Sequence, residues 1–337
     1  MKAVVLYGKE DVRLTDFPTP ELKPGMVKVA VAYCGICGSD FHKVEGKQNT
    51  HAIHYPVPLG HEVSGYVAEV GEGVTNFKVG DRVTVDPNWS CGKCYYCQQG
   101  MTSFCKYAHG VIKGMSQYWV SPEENVYHLP EALDMRTAAL AEPVACCVHG
   151  MDLLDVHQGD TVALIGMGAI GTILLQMIKN AGAGEIVVIE PNESKKALAL
   201  ELGATYFVSP ADAEAIEKLN EELHIKRVME CVGTRPAQKT ALDVAGNGAT
   251  VVMFGVSDAN EDLPISLYKA FVKELTIKTS FINPHTMHRA ISILASGALK
   301  ADKIICKELS MQEALEEFHA PRYSKMGKVL VRIDRDE

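Results

Sequence analysis

The pattern of apolar and polar positions along the chain changes near residue 160. Before that point, short runs of alternating apolar and polar residues, such as 27–31 and 81–85, are separated by glycine and proline. Such runs are typical of strands in a β-rich, barrel-like unit. After that point, apolar runs alternate with helical or loop sequence, at 162–165, 185–190, 227–231 and 249–254. This alternation predicts parallel strands joined by helical crossovers, as in a doubly wound sheet.

The stretch 161–178 carries almost no charge and is long enough to be considered as a membrane span. Glycine argues against a span, because Gly166, Gly168 and Gly171 would interrupt a single helix. A strand, a glycine turn and an amphipathic helix explain the stretch better. The C-terminal part is predicted to contain a helix at 287–296, a second helix that begins at Ser310 with Glu313 completing a capping box, and a strand at 328–333.

Composition adds limits to this picture. A chain of 337 residues with 47% hydrophobic and 22% charged residues is expected to form two globular domains. Its net charge of −9, without a block of basic residues, argues against nucleic acid or a membrane surface as partner and favours a small molecule. The first ten residues turn polar too early for a signal peptide, which indicates a cytoplasmic protein. In that compartment, the ten cysteines are expected to be metal ligands and core residues rather than disulfides.

Four cysteines, Cys91, Cys94, Cys97 and Cys105, fall within fifteen residues of sequence. Their thiolates are close enough in sequence to surround one tetrahedral zinc ion. A closed site with four sulfurs leaves no position for a substrate, so we expect it to be structural. The alternative is a set of unrelated or redox-active thiols.

A second group of metal-ligand types is dispersed along the chain. Cys37 lies among glycines, His61 and Glu62 follow Gly60, and Glu142 lies in a predicted acidic turn at 141–143. Together they offer a thiolate, an imidazole and a choice of carboxylates, enough for three ligands of a catalytic zinc and one exchangeable oxygen. A metal site of this kind lowers the pKa of an alcohol, so that hydride can leave its carbon near neutral pH.

Ser39 and His42 follow Cys37 closely and are candidates for a relay that carries the alcohol proton to solvent. Asp40 is a candidate partner for the free ring nitrogen of His61. The alternative is that Ser39 caps a turn and His42 is an ordinary surface histidine.

A glycine fingerprint, Gly166-Met-Gly168-Ala169-Ile170-Gly171, follows a predicted strand and opens a predicted helix. The glycines allow the tight turn, the approach of a pyrophosphate and close helix packing, with the phosphates at the helix N-terminus. Glu190 ends the next strand, nineteen residues beyond Gly171, where a carboxylate accepts hydrogen bonds from the adenosine ribose and repels a 2′-phosphate. NAD is therefore favoured over NADP, although Lys195 could tolerate a phosphate.

In this order the motifs resemble those of the zinc-containing medium-chain alcohol dehydrogenase family, in particular its sorbitol (polyol) dehydrogenase branch, over nearly the whole chain. The resemblance implies catalytic zinc ligands at Cys37, His61 and Glu62, with Glu142 bound directly or through water. It implies an α/β fold with a GroES-like β-barrel catalytic domain at 1–144 and 281–337, a structural-zinc lobe at about 88–106, and an inserted Rossmann NAD-binding domain at 145–280. It further implies zinc and NAD as cofactors, an active site in the cleft between the domains, and a dimer or tetramer.

Two features depart from that family's pattern or qualify it. Cys146 and Cys147 lie close behind Glu142 and leave the third zinc ligand open. At 281–283, Phe-Ile-Asn stands where sorbitol dehydrogenases usually carry a basic residue and then a tyrosine, and Ile282 cannot replace that contact. Lys43 stands where those enzymes often place a tyrosine, which suggests a cation facing a phosphorylated substrate; the alternative is a solvated lysine on a loop.

Other functions remain open from the sequence. An enzyme of the same family acting on threonine or butanediol would use the same metal and cofactor. A non-catalytic NAD-binding protein would keep the fold without the metal cluster. A zinc-free quinone reductase is disfavoured, since it would have no use for Cys37, His61 and Glu62 together.

Overall fold

A computed structural model describes residues 1–47, 53–110 and 113–334. The chain divides into two compact units, Met1–Ala145 with Asn283–Glu337, and Cys146–Ile282. The strands of the first unit are β1 Lys2–Gly8, β2 Asp11–Asp16, β3 Met26–Ile36, β4 Val57–Pro58, β5 Glu62–Val70, β6 Arg82–Val85, β7 Asn88–Trp89, β8 His109–Gly110, β9 Tyr118–Pro122, β10 Val126–His128, β17 Ile305–Leu309 and β18 Lys328–Arg332. The strands of the second unit are β11 Val162–Ile165, β12 Ile186–Ile189, β13 Tyr206–Val208, β14 Arg227–Glu230, β15 Thr250–Met253 and β16 Thr276–Thr279.

The helices are mostly short. They are α1 Gly38–Val44, α2 Tyr95–Gln98, α3 Met135–Ala138, α4 Ala141–Leu154, α5 Ala169–Asn180, α6 Lys196–Glu201, α7 Ala213–Leu223, α8 Arg235–Val244, α9 Leu267–Val272, α10 Met287–Ala295, α11 Ala301–Ile304 and α12 Met311–His319. Short 3-10 helices occupy Thr102–Phe104, Glu123–Asn125 and Glu193–Lys195. In the described part of the chain, no helix has the length and apolar character that crossing a bilayer requires.

The first unit is built on β-sheet. A three-stranded sheet has the order β2-β1-β4, and a seven-stranded sheet has the order β10-β6-β5-β3-β18-β17 with β9 also paired to β3. Strand β18 runs antiparallel to β3, so the C-terminal segment completes a sheet begun near the N-terminus. Buried Val, Leu, Ile and Met side chains from both segments form its core.

The second unit contains a six-stranded parallel sheet with the order β13-β12-β11-β14-β15-β16. This is the strand order of a dinucleotide-binding doubly wound sheet. Strands are added outward on one side of β11 as far as β13, and then on its other side from β14 to β16. The strands β11 and β12 are buried along their whole length, as expected where helices cover both faces of a parallel sheet. The predicted strand, glycine turn and helix at 161–178 are present as β11, a loop and α5.

One local prediction is wrong. The acidic turn expected at 141–143 is the first turn of α4, which continues to Leu154. Pro143 is compatible with this start, because N–H groups in the first turn of a helix have no partner within the helix. Glu142 is therefore held on a helix rather than on a flexible turn.

Candidate active site

Cys37 caps the N-terminus of α1, directly after β3. The backbone N–H of Cys37 donates to Asp40 Oδ2 over 3.0 Å, which closes the first turn of this helix. Ser39 and His42 are both half-buried and three residues apart, a spacing that makes two side chains neighbours on a helix surface. The helix thus fixes the thiol and the candidate proton relay relative to each other.

The pairing of three neighbouring strands places Glu62 next to Lys328. Gly35 of β3 pairs with Glu62 of β5, and the next residue of β3 pairs with Val329 of β18. Lys328 Nζ donates to both Glu62 carboxylate oxygens, over 2.6 and 2.8 Å, and to the Ile36 carbonyl over 3.1 Å. A side chain at Gly35 would collide with Glu62, since its Cβ would lie 1.9 Å from Oε2. Glycine is therefore needed for Glu62 to take this position.

The Glu62–Lys328 pair is almost completely inaccessible, with side chains 1% and 3% exposed. Burial alone would lower the pKa of Lys328, but Glu62, with further contributions from Cys37 and Glu142, outweighs burial and the pKa lies above its usual value. The Lys328 ammonium therefore keeps its charge, and the Glu62 carboxylate that it contacts is available as an oxygen donor.

Cys37, His61 and Glu62 each contribute a donor atom to a cluster in which all donors lie within 4.8 Å of one another. His61 Nδ1 lies 3.7 Å from Asp40 Oδ1, so Nε2 is the ring nitrogen available to a metal. Burial alone would lower the pKa of His61, but Asp40 and Cys37 outweigh it and hold the pKa well above its usual value. A thiol, an imidazole and a carboxylate gathered in this way fit an open zinc site.

Glu142 is buried near this cluster. Burial raises the pKa of Glu142 to about 7; Glu62 and Asp86 add to the rise, while His61 opposes it. An adjacent cation would favour the charged form of such a carboxyl group, so Glu142 also fits a metal site.

The four cysteines of the lobe also come together. The sulfur–sulfur distances are 4.0 Å for Cys91 and Cys97, 3.5 Å for Cys94 and Cys97, and 3.9 Å for Cys94 and Cys105. Four sulfurs bound to one tetrahedral zinc at about 2.3 Å would lie about 3.8 Å apart. The sulfurs therefore already have the spacing of a zinc site.

The protonation tendencies of these thiols support the same fit. Backbone N–H donors lower the pKa of Cys94 to about 6, whereas burial and the neighbouring sulfurs raise that of Cys97 to about 11. Crowded sulfurs of this kind are all deprotonated only when a cation offsets their repulsion. All ten cysteines are free of disulfide bonds.

The glycine loop of the second unit leaves its backbone accessible. Gly166 has a φ of +96°, which favours glycine, and a Cβ at Gly171 would lie 2.1 Å from the Gly166 carbonyl oxygen. A Cβ at Gly168, the N-cap of α5, would meet no atom within 4 Å. Gly168, Ala169 and Ile170 are partly exposed, so a pyrophosphate has space at the N-terminus of this helix.

Glu190 lies at the end of β12, beside the same loop. Its Oε2 accepts from the Met167 N–H over 2.8 Å and its Oε1 from the Asn192 N–H over 3.0 Å. Lys195 Nζ lies 3.7 Å from Glu190 Oε2. The carboxylate therefore fixes the loop, keeps acceptor capacity for ribose hydroxyls, and has a cation at its side.

Several residues of these sites carry no obvious sequence signal. Lys328 lies at the start of a strand, 266 residues from Glu62, and a lysine there is ordinarily assigned to a solvent-facing position. Met167 contributes its backbone N–H, which any residue except proline provides. Gly35 was the one usable signal, since glycine inside a strand often marks close approach of another group.

Two family models match the chain. Residues 23–131 match the alcohol dehydrogenase GroES-like domain, and residues 169–296 match the zinc-binding dehydrogenase domain. A sorbitol dehydrogenase of Halalkalibacterium halodurans is 31% identical, covering 98% of this chain and 99% of that protein. A D-arabitol-phosphate dehydrogenase of Enterococcus avium is 32% identical, covering 98% and 96%.

Solved structures agree with these relatives. A zinc-binding dehydrogenase of Sinorhizobium meliloti 1021 bound to NADP has a TM-score of 0.90 at 34% identity, covering 98% of each chain. An alcohol dehydrogenase of Escherichia coli CFT073 with NADH has a TM-score of 0.89 at 29% identity, and 2R,3R-butanediol dehydrogenase of Bacillus subtilis has 0.89 at 28%, each covering 99% of both chains. The fold is that of these proteins, with a GroES-like and a Rossmann domain.

Proposed function

Because the chain belongs to the zinc-containing medium-chain alcohol dehydrogenase family, we propose that it oxidises a secondary alcohol of a polyol or polyol phosphate to a ketone, or catalyses the reverse reduction, with NAD as the hydride carrier. The observation that supports the chemistry most directly is the group of donor atoms from Cys37, His61 and Glu62 within 4.8 Å of one another. In a non-catalytic relative, nothing would require this group to remain complete.

In the proposed mechanism Cys37, His61 and a carboxylate would hold the catalytic zinc. The carboxylate is Glu62 or Glu142, and the buried charge of Glu62 together with the raised pKa of Glu142 makes both eligible. Zinc at this site supplies a Lewis acid that lowers the pKa of the substrate alcohol. Cys91, Cys94, Cys97 and Cys105 would hold a second, structural zinc.

The proton of the alcohol leaves through the side chains of α1. Ser39 Oγ accepts this proton while it donates its own hydroxyl proton to His42, and His42 then releases a proton to solvent, as their neighbouring positions on one helix allow. NAD, when bound, would supply the hydride acceptor, so that the alcohol would become a ketone as NAD becomes NADH.

NAD is held by the second unit. Gly168, Ala169 and Ile170 at the N-terminus of α5 would hold the pyrophosphate, and Glu190 would accept hydrogen bonds from the adenosine ribose. Lys195 lies 3.7 Å from Glu190 and weakens, but does not cancel, the repulsion between Glu190 and a 2′-phosphate. NAD is therefore preferred over NADP. Related proteins of known structure carry either cofactor.

The substrate class follows from the relatives that act on sorbitol and on arabitol phosphate. A vicinal diol is the second candidate, because a butanediol dehydrogenase shares the whole fold. Oxidation of threonine, the third candidate substrate, would use the same metal and cofactor.

We propose a cytoplasmic homo-oligomer. Free cysteines throughout the chain suit a reducing compartment. The second unit exposes large apolar side chains at Val256, after β15, and on α9, the helix that precedes the edge strand β16, at Leu267, Tyr268, Phe271 and Val272. Exposed apolar side chains near a strand that ends its sheet in the described part of the chain suit association with a second copy.

One experiment tests substrate, cofactor and metal together. NADH formation would be followed at saturating NAD with sorbitol, arabitol, their phosphates, threonine and 2,3-butanediol, before and after dialysis against a chelator and again after zinc is restored. We expect turnover of one polyol or polyol phosphate that is lost on chelation and recovered with zinc. Absence of turnover with every alcohol, or turnover that survives replacement of Cys37 and His61 by alanine, contradicts the proposal.

A further inference from the structure

Asp40 is a buried anion close to the proposed metal site. Its carboxylate is 0% exposed, and its oxygens accept backbone N–H groups from Cys37 over 3.0 Å and from Gly60 over 3.2 Å. Two backbone donors orient a carboxylate but do not neutralise it. An ionised carboxylate in such a place needs a nearby positive charge.

Lys43 supplies that charge. It lies one helical turn after Asp40, with Nζ 3.6 Å from Asp40 Oδ1 and a side chain that is only 11% exposed. A solvated loop lysine would extend its ammonium group into water. Lys43 instead folds back along α1 and ends at the Asp40 carboxylate.

His61 faces the same carboxylate oxygen. Its Nδ1 lies 3.7 Å from Asp40 Oδ1 and has no hydrogen-bond partner within the described residues. An imidazole that binds zinc through Nε2 is neutral, so His61 cannot compensate the charge of Asp40. Lys43 and His61 thus share one oxygen, with only the lysine bringing a full positive charge.

We infer that Lys43 is a positioning residue of the catalytic metal site, which acts through Asp40 on His61 and does not contact the substrate. The Lys43 ammonium pairs with the Asp40 carboxylate and holds it in place at the start of α1. The carboxylate in turn fixes the ring of His61 and strengthens its other nitrogen as a metal donor. The inference rests on the proposed function for the identity of the metal, and it replaces the expectation that Lys43 meets a substrate phosphate.

The test compares Lys43→Met with Lys43→Arg, and with Lys47→Met as a matched control. Lys47 is an exposed lysine four residues further on, paired with Glu45. Zinc release from the loaded enzyme would be followed with a chromogenic chelator, and the phase that disappears in Cys37→Ala would be assigned to the catalytic site. We expect Lys43→Met to release that zinc about tenfold faster, Lys43→Arg to restore the slow rate, and Lys47→Met to behave as wild type.

A second measurement separates this role from substrate binding. For every alcohol that is turned over, Lys43→Met is expected to lower kcat by the same factor for free and phosphorylated substrates and to leave KM unchanged. The effect of Lys43→Met on zinc release is expected to vanish in an Asp40→Asn background, because the lysine acts through that carboxylate. The cobalt(II)-substituted enzyme is expected to show a changed visible spectrum in Lys43→Met, which Lys43→Arg reverses.

The outcomes are distinct. An unchanged release rate in Lys43→Met overturns the inference, whether or not KM rises for phosphorylated substrates. Release that is accelerated equally with and without Asp40 also overturns it. Faster release that depends on Asp40 supports it even if no alcohol is turned over, in which case the proposed function alone has failed.

Discussion

Replacing Lys328 by methionine is expected to show which carboxylate, Glu62 or Glu142, binds the catalytic metal. The substitution keeps the length of the side chain but removes three interactions of Nζ, two with the Glu62 carboxylate and one with the Ile36 carbonyl. Because the Glu62 side chain is 1% exposed, its charge would remain buried without a partner. Breaking a buried ion pair in this way costs about 3–5 kcal/mol of folding free energy.

A bound metal should change that magnitude. If Glu62 contacts zinc, the ion takes over the compensation of its charge, and the loss falls to about 1–2 kcal/mol, the contribution of the remaining hydrogen bond and its packing. By thermodynamic linkage, Lys328→Met then binds zinc more tightly by the difference, roughly 2 kcal/mol or about thirtyfold. Lysine at this position competes with the metal for the carboxylate.

The assay is urea unfolding of wild type and variant, each with excess zinc and after chelation. Both tryptophans of the chain, Trp89 and Trp119, lie in the first unit, so their fluorescence reports unfolding of the unit that contains the pair. Lys325→Met, which alters an exposed lysine three residues earlier, controls for the loss of a positive charge. Removal of the structural zinc affects all variants alike and cancels in the comparison.

Equal losses with and without zinc would refute this reasoning. Glu62 would then not sense the metal, and Glu142 would be left as the carboxylate ligand. A loss below about 1 kcal/mol in the chelated protein would refute the premise that the pair is buried and charged.

Four further predictions concern other parts of the chain. Cys94→Ser should remove one of the two bound zinc ions, measured by elemental analysis, and leave the content of the catalytic site unchanged. Glu190→Gln should raise KM for NAD about fivefold and improve use of NADP, since two unit charges about 4 Å apart, here the carboxylate and a 2′-phosphate, interact with roughly 1 kcal/mol in water; unchanged cofactor preference would contradict its role. Glu317 accepts four hydrogen bonds at one oxygen from residues 322–324. These bonds outweigh burial and lower the pKa of Glu317, so their contribution to stability is present above pH 4.5 and is lost as the pH falls through the lowered pKa. By urea unfolding, Glu317→Gln should cost about 1–3 kcal/mol at pH 7 and progressively less as the pH is lowered from 4.5. Phe271→Glu should reduce the mass seen in light scattering to that of a monomer if the exposed apolar side chains of α9 form the interface, and an unchanged mass would exclude that surface.

The alternation of apolar strands and helical stretches was sufficient to predict the α/β class and the centre of the parallel sheet. The edge strands β13 and β16 were not predicted. β13 has three residues, and β16, with the sequence Thr-Ile-Lys-Thr, is only partly buried, so neither gives the continuous apolar run of the central strands. The second C-terminal helix was predicted from its capping box, and both bonds between Ser310 and Glu313 are formed. A hydrogen bond of this kind can be predicted from the sequence when its donor and acceptor lie within one helical turn.

Interactions between distant segments are not readable in this way. The cysteine lobe could be predicted because its ligands are close in sequence, and the catalytic cluster because cysteine, histidine and glutamate are characteristic metal-ligand types. Asp40 could be predicted as a partner of His61, but the lysines that contact Asp40 and Glu62 could not be predicted in these roles. Lysine is ordinarily a surface residue, and nothing local distinguishes Lys43 or Lys328 from the exposed lysines around them.

The two buried lysines are expected to affect the metal in opposite directions, and their geometry explains why. Lys328 touches Glu62 itself, so its ammonium and a metal ion compete for the same oxygens and its removal should tighten binding. Lys43 touches Asp40, and Asp40 Oδ1 faces Nδ1 of His61, the ring nitrogen proposed not to bind the metal. Removal of the Lys43 ammonium should loosen zinc binding, because an Asp40 carboxylate that moves away from His61 no longer supports the metal-binding nitrogen. If both substitutions changed zinc affinity in the same direction, a general effect of positive charge would explain the data, and the specific contacts would not. Opposite signs can arise only if each lysine acts through the particular carboxylate that it contacts.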